Sequence, residues 1–248
     1  MLKNLRQLAA KIESVEGIAE SLAAADAKII AINQMVSHSP DMFSRAPSLL
    51  SWSKRGDVVG KRPANITFGI AMKGSGAATT EPEWSKILRA AGFQINALYS
   101  ITIGAITSGP FQHGETITGG TSGATARVII DTATGTTTLY FEKISSAPLE
   151  SAEVITGAVS GASATTGSVP LAAGEAWRPL SGEAHPSLTM GAYEHQIRKL
   201  LKGCRGSVKF NLKVGEPGIM NFDFKGVDQG VIDTDLLTGI TLEQTKPP

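Results

Sequence analysis

Between residues 65 and 73 apolar and polar side chains take turns: Ile66, Phe68, Ile70 and Met72 against Asn65, Thr67, Gly69 and Ala71. A period of two puts the two sets on opposite sides of a pleat, so the stretch predicts a β-strand with one buried face. The same period returns near the end of the chain. Val208, Phe210, Leu212 and Val214 alternate with Ser207, Lys209, Asn211 and Lys213; Met220, Phe222 and Phe224 alternate with Asn221, Asp223 and Lys225. Gly215-Glu216-Pro217-Gly218 separates the two runs and reads as a Pro-Gly turn, which predicts a long amphipathic hairpin.

Residues 80–91 follow another rhythm. Thr80 with Glu83 three positions on, and Pro82 in the first turn, read as the start of a helix. Trp84, Ile87, Leu88 and Ala91 then share one face, and Gly92 stops the element. One short helix among such strands predicts a mainly β fold, an antiparallel β-sandwich or barrel with one flanking α-helix. The beginning of the chain is ambiguous: Leu5, Leu8, Ala9 and Ile12 suit a helix, while Leu8, Ala10 and Ile12 equally suit a strand. Residues 33–62 carry little regular signal and contain Pro40 and Pro47, yet include Met35, Met42, Phe43, Leu49, Leu50 and Trp52. Such an apolar loop either folds back onto its own domain or packs against a neighbouring subunit.

From residue 101 to 173 charges thin out and Thr, Ser, Gly and Ala dominate. Residues 108–126 (SGPFQHGETITGGTSGATA) and 146–164 (SAPLESAEVITGAVSGASA) align without a gap at a spacing of 38, and ten of the 19 positions are identical. The matches include Pro110 with Pro148, Glu115 with Glu153, Gly119 with Gly157 and Ser122 with Ser160. Each copy reads as strand, Ser-Gly turn, strand. Two copies are too few for a free-standing solenoid. The predicted organisation is a core made of residues 1–103 and 173–248, interrupted by a small all-β module over residues 104–172.

Composition narrows the function classes. The chain of 248 residues has a net charge of +1 and only 18% charged residues, which gives no general attraction to nucleic acid or to an anionic membrane. The single cysteine, Cys204, allows no disulfide within the chain and suits folding in a reducing compartment. The first residues scatter Lys and Glu where a secretory signal needs an apolar core, and no run approaches the roughly 18 apolar residues of a membrane span. The expectation is a soluble product of the cytosol.

Candidate chemistry is sparse. Gly56-Asp57-Val58-Val59-Gly60-Lys61-Arg62 imitates a phosphate-binding loop, but the spacer is three residues instead of four. Arg62 replaces the metal-binding hydroxyl, and a strand pattern follows where a helix is needed. His38, His113, His185 and His195 show no metal-ligand spacing. Ser122 lies one substitution from a nucleophile elbow, but in repetitive β sequence and with a twin, Ser160, which suits a turn serine. Asp131, Glu142, Glu150 and Glu153 are too scattered to pair as acid and base, and Arg55-Gly56-Asp57 matches an adhesion tripeptide by letters alone. No catalytic set, cofactor site or metal site is expected. One basic cluster stands out: Arg198, Lys199, Lys202, Arg205 and Lys209. It reads as a nucleic-acid contact lacking stacking aromatics, as a solvated hairpin face, or as one side of ion pairs between subunits. The acids Glu13, Glu16, Glu20, Asp26, Asp41 and Asp57 would supply the other side of such pairs.

RQLAAKIESVEG near the start, VGKRPANITFGIAMKGSG, PEWSKILRAAGF, and LLKGCRGSVKFNLKVGEPGIMNFDFKGV near the end occur in an order that resembles the tail tube proteins of long-tailed bacteriophages. The resemblance covers residues 1–100 and about 184–240; residues 104–172 depart from the core pattern. It implies a β-sandwich with one flanking helix that assembles as hexameric rings, stacked into a tube through which the genome passes without specific binding. It also implies a strand at the N-terminus and a loop over residues 33–62 that reaches the adjacent ring. The partners implied are further copies of the chain and other tail proteins such as tape-measure and terminator proteins, with no membrane. The place implied is the virion tail, assembled in the host cytoplasm. The interface residues expected on this reading are Met42, Phe43, Leu49, Leu50, Trp52, Arg198, Lys199, Lys202 and Arg205. A different class of function is a binding protein whose 104–172 module recognises a host-surface glycan, although Trp52 and Trp177 offer little aromatic platform for a sugar.

Overall fold

The computed structural model describes residues 6–44, 56–76, 80–133, 135–180, 182 and 185–242. The fold is mainly β, in the antiparallel sandwich/barrel class, with one short flanking α-helix and an inserted all-β module. It divides into two compact units: Met1–Ser75, Glu81–Gln94 and Pro179–Pro248 form the first, and Gly76–Thr80 with Ile95–Arg178 form the second. The expected module of residues 104–172 lies inside the second unit.

The first unit is built on β1 (Arg6–Ile12), β2 (Ile32–His38), β3 (Met42–Phe43), β4 (Val58–Val59), β5 (Pro63–Ala71) and α1 (Ser85–Ala90). The chain leaves it along β6 (Phe93–Thr102). The second unit adds β7 (Thr116–Gly119), β8 (Thr125–Val128), β9 (Thr138–Lys143), β10 (Val154–Gly157) and β11 (Ser163–Thr165), and the chain returns along β12 (Leu171–Pro179). The first unit then closes with β13 (Leu188–Glu194), β14 (Ile197–Asn211) and β15 (Ile219–Asp233).

In the first unit six strands lie in the order β1-β13-β14-β15-β5-β2, every pair antiparallel. The sheet curls into a half-barrel. Its inner face is the alternating set visible in the sequence: Ile66 is opposite Phe224, Phe68 opposite Phe222 and Ile70 opposite Met220, all buried. Phe68 stacks on Phe222 at 5.4 Å and on Phe224 at 6.2 Å between ring centroids. Ring pairs of this kind contribute about 0.5–1.5 kcal/mol each beyond the area they bury. The α-helix rests on β1 and β14 through buried Ile87, Leu88 and Ala90.

The helix is shorter than the sequence predicts. It starts at Ser85, its N-cap is Trp84 without a side-chain cap bond, and Thr80 stands four residues before that cap. The intervening residues form a turn closed by Ser85 N–H donating to Pro82 O at 2.9 Å. Trp84 explains the late start, since its buried indole donates to Lys73 O at 2.7 Å and so ties the turn to the end of β5.

The N-terminal ambiguity resolves as a strand. Leu8, Ala9 and Ala10 are all buried, because β13 pairs along one edge of β1 while both of its faces are covered. Where both faces are covered, period two disappears from the sequence. A buried carboxylate locks the end of this strand. Glu13 accepts from Gly17 N at 2.7 Å, Ser187 Oγ at 2.6 Å, Thr189 Oγ1 at 3.0 Å and Gly203 N at 2.7 Å. Burial raises its pKa, but the bonds from Ser187, Gly203, Gly17 and Thr189 together outweigh that and hold it below the ordinary value. Cys204 is buried nearby, and burial followed by the Glu13 charge pushes its thiol up to about 12.

The second unit has one sheet of seven strands, in the order β11-β10-β7-β8-β9-β6-β12. It buries its own core, in which Phe111, Ile117, Leu139, Phe141 and Ile155 are fully enclosed.

Candidate assembly surfaces

The β3–β4 ribbon pairs Met42 with Val59 and Phe43 with Val58, and all four side chains are exposed, Phe43 by 60%. The ribbon is held by Asp41 N–H donating to Lys61 O at 2.9 Å and Gly60 N–H donating to Asp41 O at 2.8 Å. The stretch that imitates a phosphate loop is therefore a strand and its flanking turn. Of the expected interface residues, Met42 and Phe43 sit on this ribbon; Leu49, Leu50 and Trp52 lie outside the described residues.

Beside the ribbon, β2 is the last strand of the six-stranded sheet among the described residues, and it exposes Ile32 and, by 63%, Met35. A last strand carries backbone donors and acceptors on its outer side without a ladder partner, which is the usual template for pairing with another strand. The opposite edge, β1, meets Ile29 through an isolated bridge at Leu8. There the chain near its end folds alongside: the Gln7 carboxamide donates to Leu237 O at 3.1 Å and accepts from Leu237 N at 2.9 Å. Leu8, Ile29, Asn33, Gln34, Leu237 and Leu242 line a groove of about 680 Å³ between β1 and the start of β2, where the Arg6 guanidinium donates to Gln34 O at 3.3 Å. The sequence gives no warning of this groove, since Leu236-Leu237 and Ile240 are isolated apolar residues in a polar tail.

The β14–β15 hairpin forms as the alternation predicts, but its two strands differ in burial. Met220, Phe222 and Phe224 are enclosed, whereas Phe210, Leu212 and Val214 are exposed around the turn. Phe210 packs edge-on against Phe93 at 6.1 Å. Both strands run to 15 residues, well past the alternating stretch.

The basic cluster lies along β14. Register shifts between Lys199 and Leu201 and between Lys202 and Arg205 interrupt its alternation, so the five residues do not form one charged row. Lys199 Nζ reaches Glu194 at 3.1 Å, and Arg205 grips Glu16 with both terminal nitrogens, at 2.9 and 3.0 Å. Arg198 is opposite Ile232 and Lys202 opposite Val227. Of the acids expected to face this cluster from another subunit, Glu13 is enclosed, Glu16 is paired with Arg205 within the chain, and Glu20 binds Lys11 at 3.2 Å and the Ser14 hydroxyl at 2.6 Å.

Ser122 and Ser160 are turn residues. Ser122 Oγ donates to Glu153 at 2.9 Å and Ser160 Oγ donates to Glu115 at 2.9 Å. Neither hydroxyl has a histidine beside it in these contacts, and both glutamates are occupied by backbone donors as well. Among the described residues no three His, Cys, Asp or Glu side chains gather as a metal cluster. No family model matches the chain, and no curated protein matches it.

Proposed function

We propose that this chain is a structural subunit that assembles with copies of itself into stacked rings, as hexamers, to form the tube of a long-tailed bacteriophage tail. One observation carries the reading: among the described residues the six-stranded sheet ends at β2, beside which Ile32, Met35, Met42 and Phe43 stand exposed. An edge without a ladder partner on its outer side, flanked by apolar side chains, is unfavourable in water, and a closed ring of identical subunits covers every such edge at once. The exposed tip of the β14–β15 hairpin adds a second apolar feature for contact between copies. Near-neutral net charge suits a conduit, because DNA slides where few cations grip its phosphates. On this reading the role is structural and not catalytic. The tube works in the virion tail after assembly in the host cytoplasm, and its ends meet other tail proteins of the tape-measure and terminator kind.

Solution mass as a function of concentration, with electron microscopy of the concentrated sample, tests the reading. Rings or tubes that grow with concentration are expected. Discrete monomers at every concentration and salt condition would overturn it.

A further inference from the structure

The second unit has an internal dyad. β7 and β10 pair antiparallel through Ile117 with Gly157, Thr118 with Thr156, and Gly119 with Ile155. Because the repeat spacing is 38, exchanging the two copies maps the first pair onto the third and leaves Thr118 facing Thr156. The dyad therefore passes between these two exposed threonines.

Contacts farther out obey the same exchange. Glu115 accepts from Val159 N at 3.1 Å and Ser160 N at 3.0 Å; Glu153 accepts from Thr121 N at 3.3 Å and Ser122 N at 3.1 Å. Each carboxylate thus fills the Ser-Gly turn of the other copy. Gly119 and Gly157 make room for this, since a Cβ on Gly119 would lie 2.4 Å from Glu153 Oε2 and one on Gly157 would lie 2.7 Å from Glu115 Oε2. Thr107 N donates to Ser163 O at 2.8 Å, and its counterpart Ser145 N donates to Thr125 O at 3.1 Å. The core repeats the exchange: Ile101 with Leu139, Ile103 with Phe141, Phe111 with Leu149, Ile117 with Ile155, Ala124 with Ala162 and Ala126 with Ala164 are all buried. The symmetry begins at residue 101, before the stretch in which the two sequences are visibly alike.

We propose that residues 101–128 and 139–166 are two copies of one self-complementary unit, and that the surface each presents across the dyad binds a second copy of that same unit, in this chain or in another. An isologous contact, in which residue i meets j and j meets i, is how two identical chains associate about a twofold axis. Here one polypeptide holds both halves. The residues between them, 129–138, raise the local concentration of each half for the other and also bond to both, Ile129 N–H donating to Tyr140 O at 3.0 Å and Thr132 N–H to Phe111 O at 3.0 Å. Neither half completes its own turn, because the carboxylate that satisfies the turn's N–H groups always comes from the opposite copy.

Cysteines at the dyad test this in the full chain. With Thr118→Cys and Thr156→Cys together, oxidation should close a link within the chain. The link should form equally when residues 146–164 are replaced by the sequence of residues 108–126, apart from the cysteine at position 156. Loss of the link in that symmetrised chain would overturn the equivalence of the halves. A chain lacking residues 129–166 and carrying Thr118→Cys should give disulfide-linked dimers, since position 118 then meets its own copy. The full chain with Thr118→Cys alone should give none, and the shortened chain with Gln112→Cys should give none either. A shortened chain that stays unlinked, or links equally through positions 112 and 118, would overturn the proposal.

Discussion

The two units answer the same problem in opposite ways. A sheet needs partners for the outer sides of its last strands and for the N–H groups of its turns. The second unit satisfies its turns internally, by exchanging Glu115 and Glu153 between two similar halves around a shared core. The first unit, with longer strands in a six-stranded sheet, ends among the described residues at β2, paired on one side only, and leaves Met35, Met42 and Phe43 in water. Duplication within a chain supplies what the other region would obtain from separate copies. Sequence composition reflects the contrast: the second unit uses Thr, Ser and Gly with few charges, while the first keeps charged residues beside its apolar patches.

Substitutions can break this comparison, and their effects on stability differ widely in size. Phe141→Ala removes a ring that is fully buried in the second unit and stacked on Tyr99 at 6.0 Å. It should cost about 3–5 kcal/mol. Hydrogen exchange should rise across residues 101–166 while the amides of β14 and β15 stay protected. Exchange rising everywhere would mean that the two units do not fold separately. Glu13→Ala should cost about 3 kcal/mol in urea unfolding, since it leaves the Gly17 and Gly203 N–H groups and two hydroxyls without their acceptor. Here the exchange should rise in β1, β13 and β14.

Gly119→Ala should cost about 1–3 kcal/mol, because the added methyl displaces Glu153 from the turn it fills. Acid offers a parallel readout. Glu13, Glu115 and Glu153 are all held below the ordinary value of 4.5 in the folded chain; burial opposes the shift, and their hydrogen bonds win. A depressed carboxyl contributes its full stability above about pH 4.5 and loses it as pH falls through the folded value. Thermal unfolding should therefore weaken from pH 5 downward, and Glu115→Gln with Glu153→Gln should flatten that slope for the second unit alone.

The smallest effect on stability belongs to Met35→Ser with Phe43→Ser, expected within about 0.5 kcal/mol because both side chains are already exposed. The same pair should abolish concentration-dependent association in sedimentation. If it unfolds the isolated subunit instead, these residues belong to an ordinary core.

What could be read from the sequence follows from where alternation survives. β5 and the first half of β15 are covered on one face, so period two is plain in ITFGI and MNFDF. β13 was invisible for the opposite reason: residues 188–193 are buried without a break, and Leu22 lies against Gly191 on the far side. The turn from β13 to β14 was equally hidden. His195 and Gln196 both take positive φ, 47° and 66°, where Asn-Gly would have announced the hairpin. Bulges around Leu201 and Arg205 broke the pattern of β14 and concealed half its length. The repeated Glu, Gly and Ser of the second unit were legible as a duplication, but not that each copy completes the other. That depends on pairing across a dyad, which sequence spacing alone does not specify.

The enclosed sulfur of Cys204 has a practical consequence. A thiol with almost no thiolate at neutral pH and no path to solvent stays silent toward maleimides and mild oxidants. Reporter groups can therefore be attached at any chosen surface position without first removing the native residue, and a signal from the wild-type chain would itself reveal that β14 had opened.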